Sequence, residues 1–167
     1  MNVSFEFCDF ENPEHLEAVA NLTNHYMADP MGGVLPLNKI QQLRLVDSLA
    51  NHPSCLVLLL ITDNEVAGLA TCFINFSTFH IKPYLNVHDI IVHSNHRGKG
   101  LGKRLMKELI SIAQKRNYCK ITLEVRDDNT IAQALYRSLG FEESKPNMYF
   151  WTKKIETKLT DTGCTCH

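Results

Sequence analysis

The segment from Arg97 to Gly102 constrains the fold of this chain more than any other, because glycines stand at every second position beside basic residues. The segment Val87–Val92 precedes it, and Val or Ile at four of its six positions is typical of a strand. The stretch Gly100–Asn117 that follows repeats apolar residues at helical spacing. Glycine lets a backbone approach a ligand closely, and a helix N-terminus offers unpaired N–H groups and a positive dipole end. The segment therefore predicts a strand-turn-helix unit that binds an anion such as a pyrophosphate.

Other interpretations of this turn have to be weighed. The glycines occupy positions one, three and five, whereas a dinucleotide-binding turn spaces them one, three and six. No Gly-Lys-Ser/Thr follows four spacer residues, so a P-loop is absent from the sequence. Positive charge at Arg97, Lys99, Lys103 and Arg104 favours an anion. A glycine turn whose basic side chains are merely solvated stays open at this point.

The periodicity of the rest of the chain predicts ten elements in the order β-α-α-β-β-β-α-β-α-β. The strands are expected at Val3–Phe10, Ser54–Thr62, Val66–Asn75, Tyr84–Val92, Lys120–Val125 and Met148–Ile155. The helices are expected from Pro13 to about Met27 and at Leu37–Asn51, Gly100–Asn117 and Thr130–Leu139. The fold class is α/β, with a mixed, mostly antiparallel central sheet flanked by helices. The segment from Tyr84 to Val125 forms a right-handed βαβ unit.

Length and charge narrow the class of protein. A chain of 167 residues fits one domain, which we place at 1–156, with a flexible tail at 157–167. The net charge of −1 argues against broad binding of nucleic acid, which needs a strongly basic face. The sequence shows neither a secretory leader nor an apolar run long enough to cross a membrane.

The six cysteines fit free thiols in a reducing, cytoplasmic compartment. Four of them lie in apolar strand-like runs or at a helix-to-strand junction, where cysteine behaves as a small hydrophobe. Cys164, Cys166 and His167 have the residue types of a zinc site but lack a second ligand cluster. We interpret them as a frayed terminus and expect no metal.

Two motifs resemble those of the Gcn5-related N-acetyltransferase (GNAT) superfamily. Arg97-Gly-Lys-Gly-Leu-Gly102 matches the family's coenzyme A signature, Gln/Arg-x-x-Gly-x-Gly/Ala, position by position. Further along stands Asn129-x-x-Ala-x-x-Leu-Tyr136-x-x-x-Gly-Phe141, which fits a second family motif. The resemblance covers roughly Phe5–Ile155 and implies transfer of the acetyl group of acetyl-CoA to a primary amine in a ternary complex.

The resemblance also implies roles for individual residues. Backbone groups of Ile90, Ile91 and Val92 would pair with the pantetheine arm like an added strand. Asn129 would bond the coenzyme near its pantetheine, and the hydroxyl of Tyr136 would protonate the leaving thiolate. A backbone N–H near Val92 would stabilise the oxyanion. The pyrophosphate would be held by the N–H groups of Arg97, Gly98, Lys99, Gly100, Leu101, Gly102 and Lys103.

Two neighbouring residues, Asp89 and His88, are candidates for the general base that deprotonates the amine; both lie on the strand beside the thioester. Regular alternation would send them to opposite faces, so that at most one faces the acceptor. His80 is a third candidate, and Glu124 is a candidate for binding a cationic amine. Tyr26, Met27 and the loop 30–33 would shape acceptor specificity.

Three functions follow from the resemblance. The first is acetylation of a small-molecule amine, which the near-neutral charge and the lack of an extra recognition domain favour. The second is acetylation of a protein Lys or N-terminal amine. The third is a non-catalytic module that binds coenzyme A. Edge strands in this fold often pair, so a homodimer is also considered; neither a nucleic-acid nor a membrane partner is expected.

Overall fold

The computed structural model describes residues 2–155. The C-terminal tail with Cys164, Cys166 and His167, which was predicted to be flexible and to bind no metal, lies outside the described residues. The strands are β1 (Val3–Phe7), β2 (Cys55–Thr62), β3 (Glu65–Ser77), β4 (Lys82–Val92) and β5 (Ile121–Leu123). The helices are α1 (Pro13–Met27), α2 (Lys39–Ala50), α3 (Leu101–Lys115) and α4 (Thr130–Arg137), with one short 3₁₀ turn at Ser94–His96.

The five strands form one sheet in the order β1-β2-β3-β4-β5. Neighbours are antiparallel except β4 and β5, which are parallel and joined by α3. This arrangement confirms the predicted mixed, mostly antiparallel sheet and the βαβ unit.

Helices cover both faces of the sheet. The apolar side of the amphipathic helix α3 is buried. Together with α4, it packs on one face of the sheet against Leu58, Leu60, Leu85 and Val87. Helix α1 lies on the other face against Leu59, Leu69 and Ile91. Local signals set the helix starts: Asn12 Oδ1 accepts the N–H of Glu14 at 3.0 Å, and Asn38 forms a reciprocal capping box with Gln41.

Strand β4 contains a bulge at His88. Val87 and Asp89 lie opposite consecutive residues of β3, Cys72 and Thr71, so His88 is an extra residue. The alternation shifts across this point, because Val87 belongs to the α3 side while Ile91 faces α1. Pairing between β4 and β5 covers only 85–87 and ends at the bulge. Beyond it, the edge of β4 that faces away from β3 is open.

The predicted final strand at Met148–Ile155 is wrong for the structure as described. This segment has no strand pairing, and Met148, Tyr149, Phe150 and Trp151 are each at least 77% exposed. Alternating sequence forms a strand only where a neighbouring edge pairs with it. Strand β5 offers three residues, and a groove lined by Leu123, Gln133 and Phe141 lies beside it.

Helix α2 is only partly a core element, with Val46 as its one buried residue. Ile40 and Leu43, which the pattern placed on an apolar face, are 65% and 62% exposed. Leu43 lines a groove between α1 and α2. In residues 2–155, no helix has both the length and the apolar composition that a bilayer crossing requires.

Candidate functional site

The glycine turn joins β4 to α3 in the predicted way. Gly98 and Gly100 adopt left-handed φ values of 75° and 71°, which other residues rarely take. Gly100 is the N-cap of α3, and no side chain caps this helix. The N–H groups of Leu101, Gly102 and Lys103 therefore start the helix without a partner among the described residues. A β-carbon on Gly98 or Gly100 would meet no protein atom within 4 Å, so the turn opens to the outside.

The basic side chains of the turn are not all directed at this opening. Arg97 donates from Nε to the carbonyl of Val92 at 3.0 Å and from Nη1 to Asp29 Oδ2 at 2.8 Å. Lys99 Nζ donates to the carbonyl of Asn95 at 3.2 Å. Leu101 is buried in the core, so only its backbone is available to a ligand. Among these cations, Lys103 and Arg104 make no hydrogen bond to the described residues.

The open edge of β4 leads directly into the turn. The N–H of His93 bonds the carbonyl of Ala67, so His93 and Ile91 direct their backbone groups toward β3. By the same alternation, the N–H and C=O groups of Ile90 and Val92 face away from β3, on the open edge. Of the three residues predicted to pair with a pantetheine arm, Ile90 thus presents both of its backbone groups there. Val92 presents its N–H, because its carbonyl already accepts from Arg97. The backbone groups of Ile91 point toward β3 instead.

Asp89 and His88 share one face of the sheet, because of the bulge. The prediction that they project to opposite faces is therefore wrong. Asp89 lies two residues before Ile91, so its side chain is on the same face of the sheet as Ile91, which packs against α1. The His88 ring packs edge-on against Phe73 on that face, with ring centroids 5.6 Å apart. The half-buried carboxylate of Asp89 makes no hydrogen bond to the described residues. Burial raises the pKa of Asp89 above its ordinary value, and the charge of His88 opposes this.

One tyrosine, Tyr26, lies near this carboxylate, and a second, Tyr136, lies near Tyr26. Tyr136 on α4 is 7% exposed, and its ring packs against Phe141 with centroids 5.9 Å apart. Burial raises the pKa of Tyr136 to about 12, with a further contribution from Tyr26. Burial also raises the pKa of Tyr26, in the last turn of α1, and the charges of Asp89 and Asp29 add to it. Both hydroxyls are therefore protonated at neutral pH and act as donors.

The Tyr136 hydroxyl remains accessible. It makes no hydrogen bond to residues 2–155, where Thr62 Oγ1 is the only fully buried side-chain polar atom without a partner. This mostly buried tyrosine also lines a groove together with Leu123 and Gln133.

Asn129 has a structural role that leaves part of its side chain free for a ligand. It is the N-cap of α4, and its Oδ1 accepts the N–H of Ala132 at 3.1 Å. Its amide Nδ2 bonds no described residue, so two donors are left for a ligand.

Other predicted residues lie apart from this cluster. His80 is exposed in the turn between β3 and β4, and six residue pairs separate this turn from the bulge, which is about 20 Å at about 3.3 Å per residue. Glu124 is exposed just past the end of β5. Met27 ends α1, and the loop 30–33 folds back on it, with Val34 N bonded to the carbonyl of Met27 at 3.2 Å.

Two charged residues near the site, Asp29 and Arg126, were not predicted from the sequence, because no motif contains them. Asp29 binds Arg97, and Arg126 lies close enough to Tyr26 for its charge to lower the pKa of that hydroxyl. Each joins residues far apart in sequence, so only the folded chain shows them. Within residues 2–155, no group of three or more His, Cys, Asp or Glu side chains has a geometry that could hold a metal ion.

Comparison with known proteins identifies the family to which this fold belongs. The family model of the acetyltransferase (GNAT) family matches residues 19–141. The chain therefore belongs to the GNAT family of acetyltransferases.

Individual relatives match over shorter stretches. The chain is 46% identical over 56 residues to the N-alpha-acetyltransferase RimI of Mycobacterium tuberculosis, covering 34% of each protein. It is 35% identical over 79 residues to the streptothricin acetyltransferase of Streptomyces lavendulae, covering 47% of this chain and 40% of that protein. The matched parts are thus well under half the length of these relatives.

Among solved structures, a probable acetyltransferase superposes with a TM-score of 0.77. The match covers 95% of this chain and 100% of the other, at 21% identity. At that identity the likeness concerns the fold.

Proposed function

We propose that this protein transfers the acetyl group of acetyl-CoA to the primary amine of a small molecule. The observation that carries the proposal is the open edge of β4. Because pairing with β5 stops at the bulge, the free backbone groups of Ile90 and the free N–H of Val92 lead directly to the turn, whose helix N–H groups have no partner among the described residues. An extended amide arm fits the edge as an added strand would, and a pyrophosphate fits the helix N-terminus.

The residues around this edge supply the proton transfers. Bound acetyl-CoA would provide a thioester carbonyl as electrophile. Asp89 would take a proton from the ammonium form of the acceptor, since an unpaired carboxylate with a raised pKa is suited to a base. The N–H of Val92 would donate to the developing oxyanion, and the Tyr136 hydroxyl would give its proton to the departing sulfur.

The helix and turn would hold the coenzyme. In the proposal, the N–H groups from Gly98 to Lys103 bind the pyrophosphate, and Asn129 Nδ2 bonds the arm. The N–H of Arg97, which the sequence also placed there, instead donates to the carbonyl of Ser94 at 3.2 Å. Ile91 keeps the strand in register with β3. His88 and Tyr26 share the acceptor side with Asp89, and Tyr26 supplies a donor there.

The acceptor class is the part that needs its own test. The relatives include an enzyme for streptothricin and an N-alpha-acetyltransferase, so a protein amine is the second candidate. We expect release of coenzyme A when the protein is mixed with acetyl-CoA and a panel of polyamines, aminoglycosides and amino sugars. Turnover confined to peptides would favour the protein acetyltransferase. Tight coenzyme binding without turnover of any amine would favour the non-catalytic module.

Replacing Gly100 by alanine tests the coenzyme turn. We expect coenzyme A affinity to fall at least about tenfold, because a β-carbon at this left-handed position distorts the cradle and enters the space of the ligand. Gly140 is the matched control. It has a φ of 84° and the same free space, but it closes α4.

Both alanine variants should lose similar stability, about 1 kcal/mol, from the left-handed backbone. Isothermal titration with coenzyme A should separate them, since only Gly100→Ala is expected to weaken binding. Equal affinity in both variants would remove the turn from the coenzyme site.

Two coarser properties are proposed with the function. Cys8, Cys55, Cys72 and Cys119 are free thiols, which supports a reducing, cytoplasmic location, to be checked by fractionation. The unpaired edge of β5 supports a homodimer, to be checked by light scattering.

A further inference from the structure

One ion pair ties the end of α1 to the start of the coenzyme turn. The Asp29 carboxylate is 14% exposed and binds Arg97 at 2.8 Å across 68 positions of sequence. Arg97 simultaneously donates to the carbonyl of Val92 at 3.0 Å. The guanidinium therefore bridges the loop after α1 and the last residue of β4. Its planar fork can satisfy both acceptors at once, which a lysine ammonium would do less well.

Asp29 also organises its own loop. Its Oδ1 accepts the N–H of Met31, and its carbonyl accepts those of Gly32 and Gly33, each at 2.9 Å. The hydrogen bonds from Met31 and Arg97 lower the pKa of Asp29 below its ordinary value, so the carboxylate is ionised at neutral pH. The acceptor side and the coenzyme side of the site thus meet at this side chain.

A second contact joins the same two segments. His25, one turn before Asp29, accepts the N–H of Ser94 at Nε2, at 3.3 Å, and its ring stacks on His93 with centroids 4.3 Å apart. The segment 93–97 is therefore held against α1 at both ends. The same segment also contacts Glu65, whose carboxylate lies 3.7 Å from His96 Nε2 and is 75% exposed.

We propose that Asp29 is a positioning residue for acetyl transfer. It holds Arg97 on the Val92 carbonyl and so fixes the peptide group and the turn that receive the coenzyme. The inference rests on the proposed function and adds to it a link between the loop after α1 and the coenzyme turn. Because Arg97 is engaged on both sides, its role is to shape the turn rather than to contact phosphate.

The substitution Asp29→Asn isolates this role. The asparagine amide oxygen can still accept the N–H of Met31, but its amide group cannot attract the guanidinium. We expect coenzyme A to bind about fivefold more weakly in isothermal titration, the scale of one partly exposed charged pair. The KM for acetyl-CoA should rise by a similar factor while the thermal midpoint stays close to that of the unchanged protein. Glu65→Gln is the matched control, since it removes a carboxylate beside the same segment, and it should leave both values unchanged.

A double-mutant cycle gives the decisive comparison. If Asp29 acts through Arg97, the variant Asp29→Asn, Arg97→Gln should bind coenzyme A no more weakly than Arg97→Gln alone. Additive losses would overturn the proposal, as would unchanged affinity in Asp29→Asn. Stronger binding in Asp29→Asn would also overturn it, because Asp29 would then be restraining Arg97 from the phosphates. Failure of the unchanged protein to bind coenzyme A would instead refute the proposed function itself.

Discussion

Replacing Tyr136 by phenylalanine is expected to lower kcat by about 10²-fold or more, the usual contribution of a positioned proton donor. The ring packs against Phe141 in the apolar cluster beneath α4, so phenylalanine preserves the packing. The hydroxyl has no partner among the described residues, so its loss leaves no unsatisfied group behind. We therefore expect the KM for acetyl-CoA and the thermal midpoint to stay nearly constant while turnover falls, measured by coenzyme release.

The pKa of Tyr136 adds a further expectation. At about 12, it keeps the hydroxyl protonated throughout an ordinary assay range, so the loss should be the same from about pH 6 to pH 10. Tyr118, which packs partly buried against the same apolar cluster, is the control, and Tyr118→Phe should leave turnover unchanged. A larger loss of turnover in Tyr26→Phe than in Tyr136→Phe would identify Tyr26, on α1, as the general acid instead.

Asp89→Asn is the second substitution with a large expected effect. It should lower kcat/KM by about 10²-fold at neutral pH and remove the acidic limb of the pH profile, because an amide cannot take the proton of the amine. In the unchanged protein, activity should rise with pH through a pKa above that of an ordinary aspartate, since burial raises it.

The same substitution should stabilise the fold. Folding raises the pKa of Asp89, so the native state holds its proton more tightly than the unfolded chain does. The stability that this proton provides is therefore lost as the pH rises through the raised pKa. At neutral pH, ionised Asp89 destabilises the native state, and Asp89→Asn should raise the thermal midpoint. The gain should vanish toward acidic pH. Asp47→Asn, on the exposed side of α2, should show neither effect.

His88 is the competitor for the same role. His88→Gln should change activity far less than Asp89→Asn, since its ring is exposed and packs on Phe73. If His88→Gln instead removed the acidic limb and Asp89→Asn kept it, the base would be His88.

Local signals in the sequence were sufficient to predict most of the helices and strands. Asn12-Pro13 sets the start of α1, the apolar stripe of α3 sets its buried face, and Gly140 adopts the left-handed cap that its position after α4 predicts. The glycine turn was equally local, because its conformation depends on adjacent residues.

What could not be predicted depends on contacts between distant segments. The bulge at His88 exists only relative to Thr71 and Cys72 on β3, so alternation alone placed His88 and Asp89 on opposite faces. The Asp29–Arg97 pair spans 68 positions, and neither residue type marks it. The final strand failed for the same reason, since an alternating pattern at 148–155 contains no information about a free partner edge.

The bulge also sets how β4 can be engineered. Up to Val87 the odd-numbered residues of β4 face α3, whereas after the bulge the even-numbered ones do. A mutagenesis library that varies every second residue would therefore disrupt the core in one half of the strand. A library aimed at a new acceptor should vary Asn86 and His88 and leave Asp89 intact, so that changes in substrate preference are not confounded with loss of the proposed base.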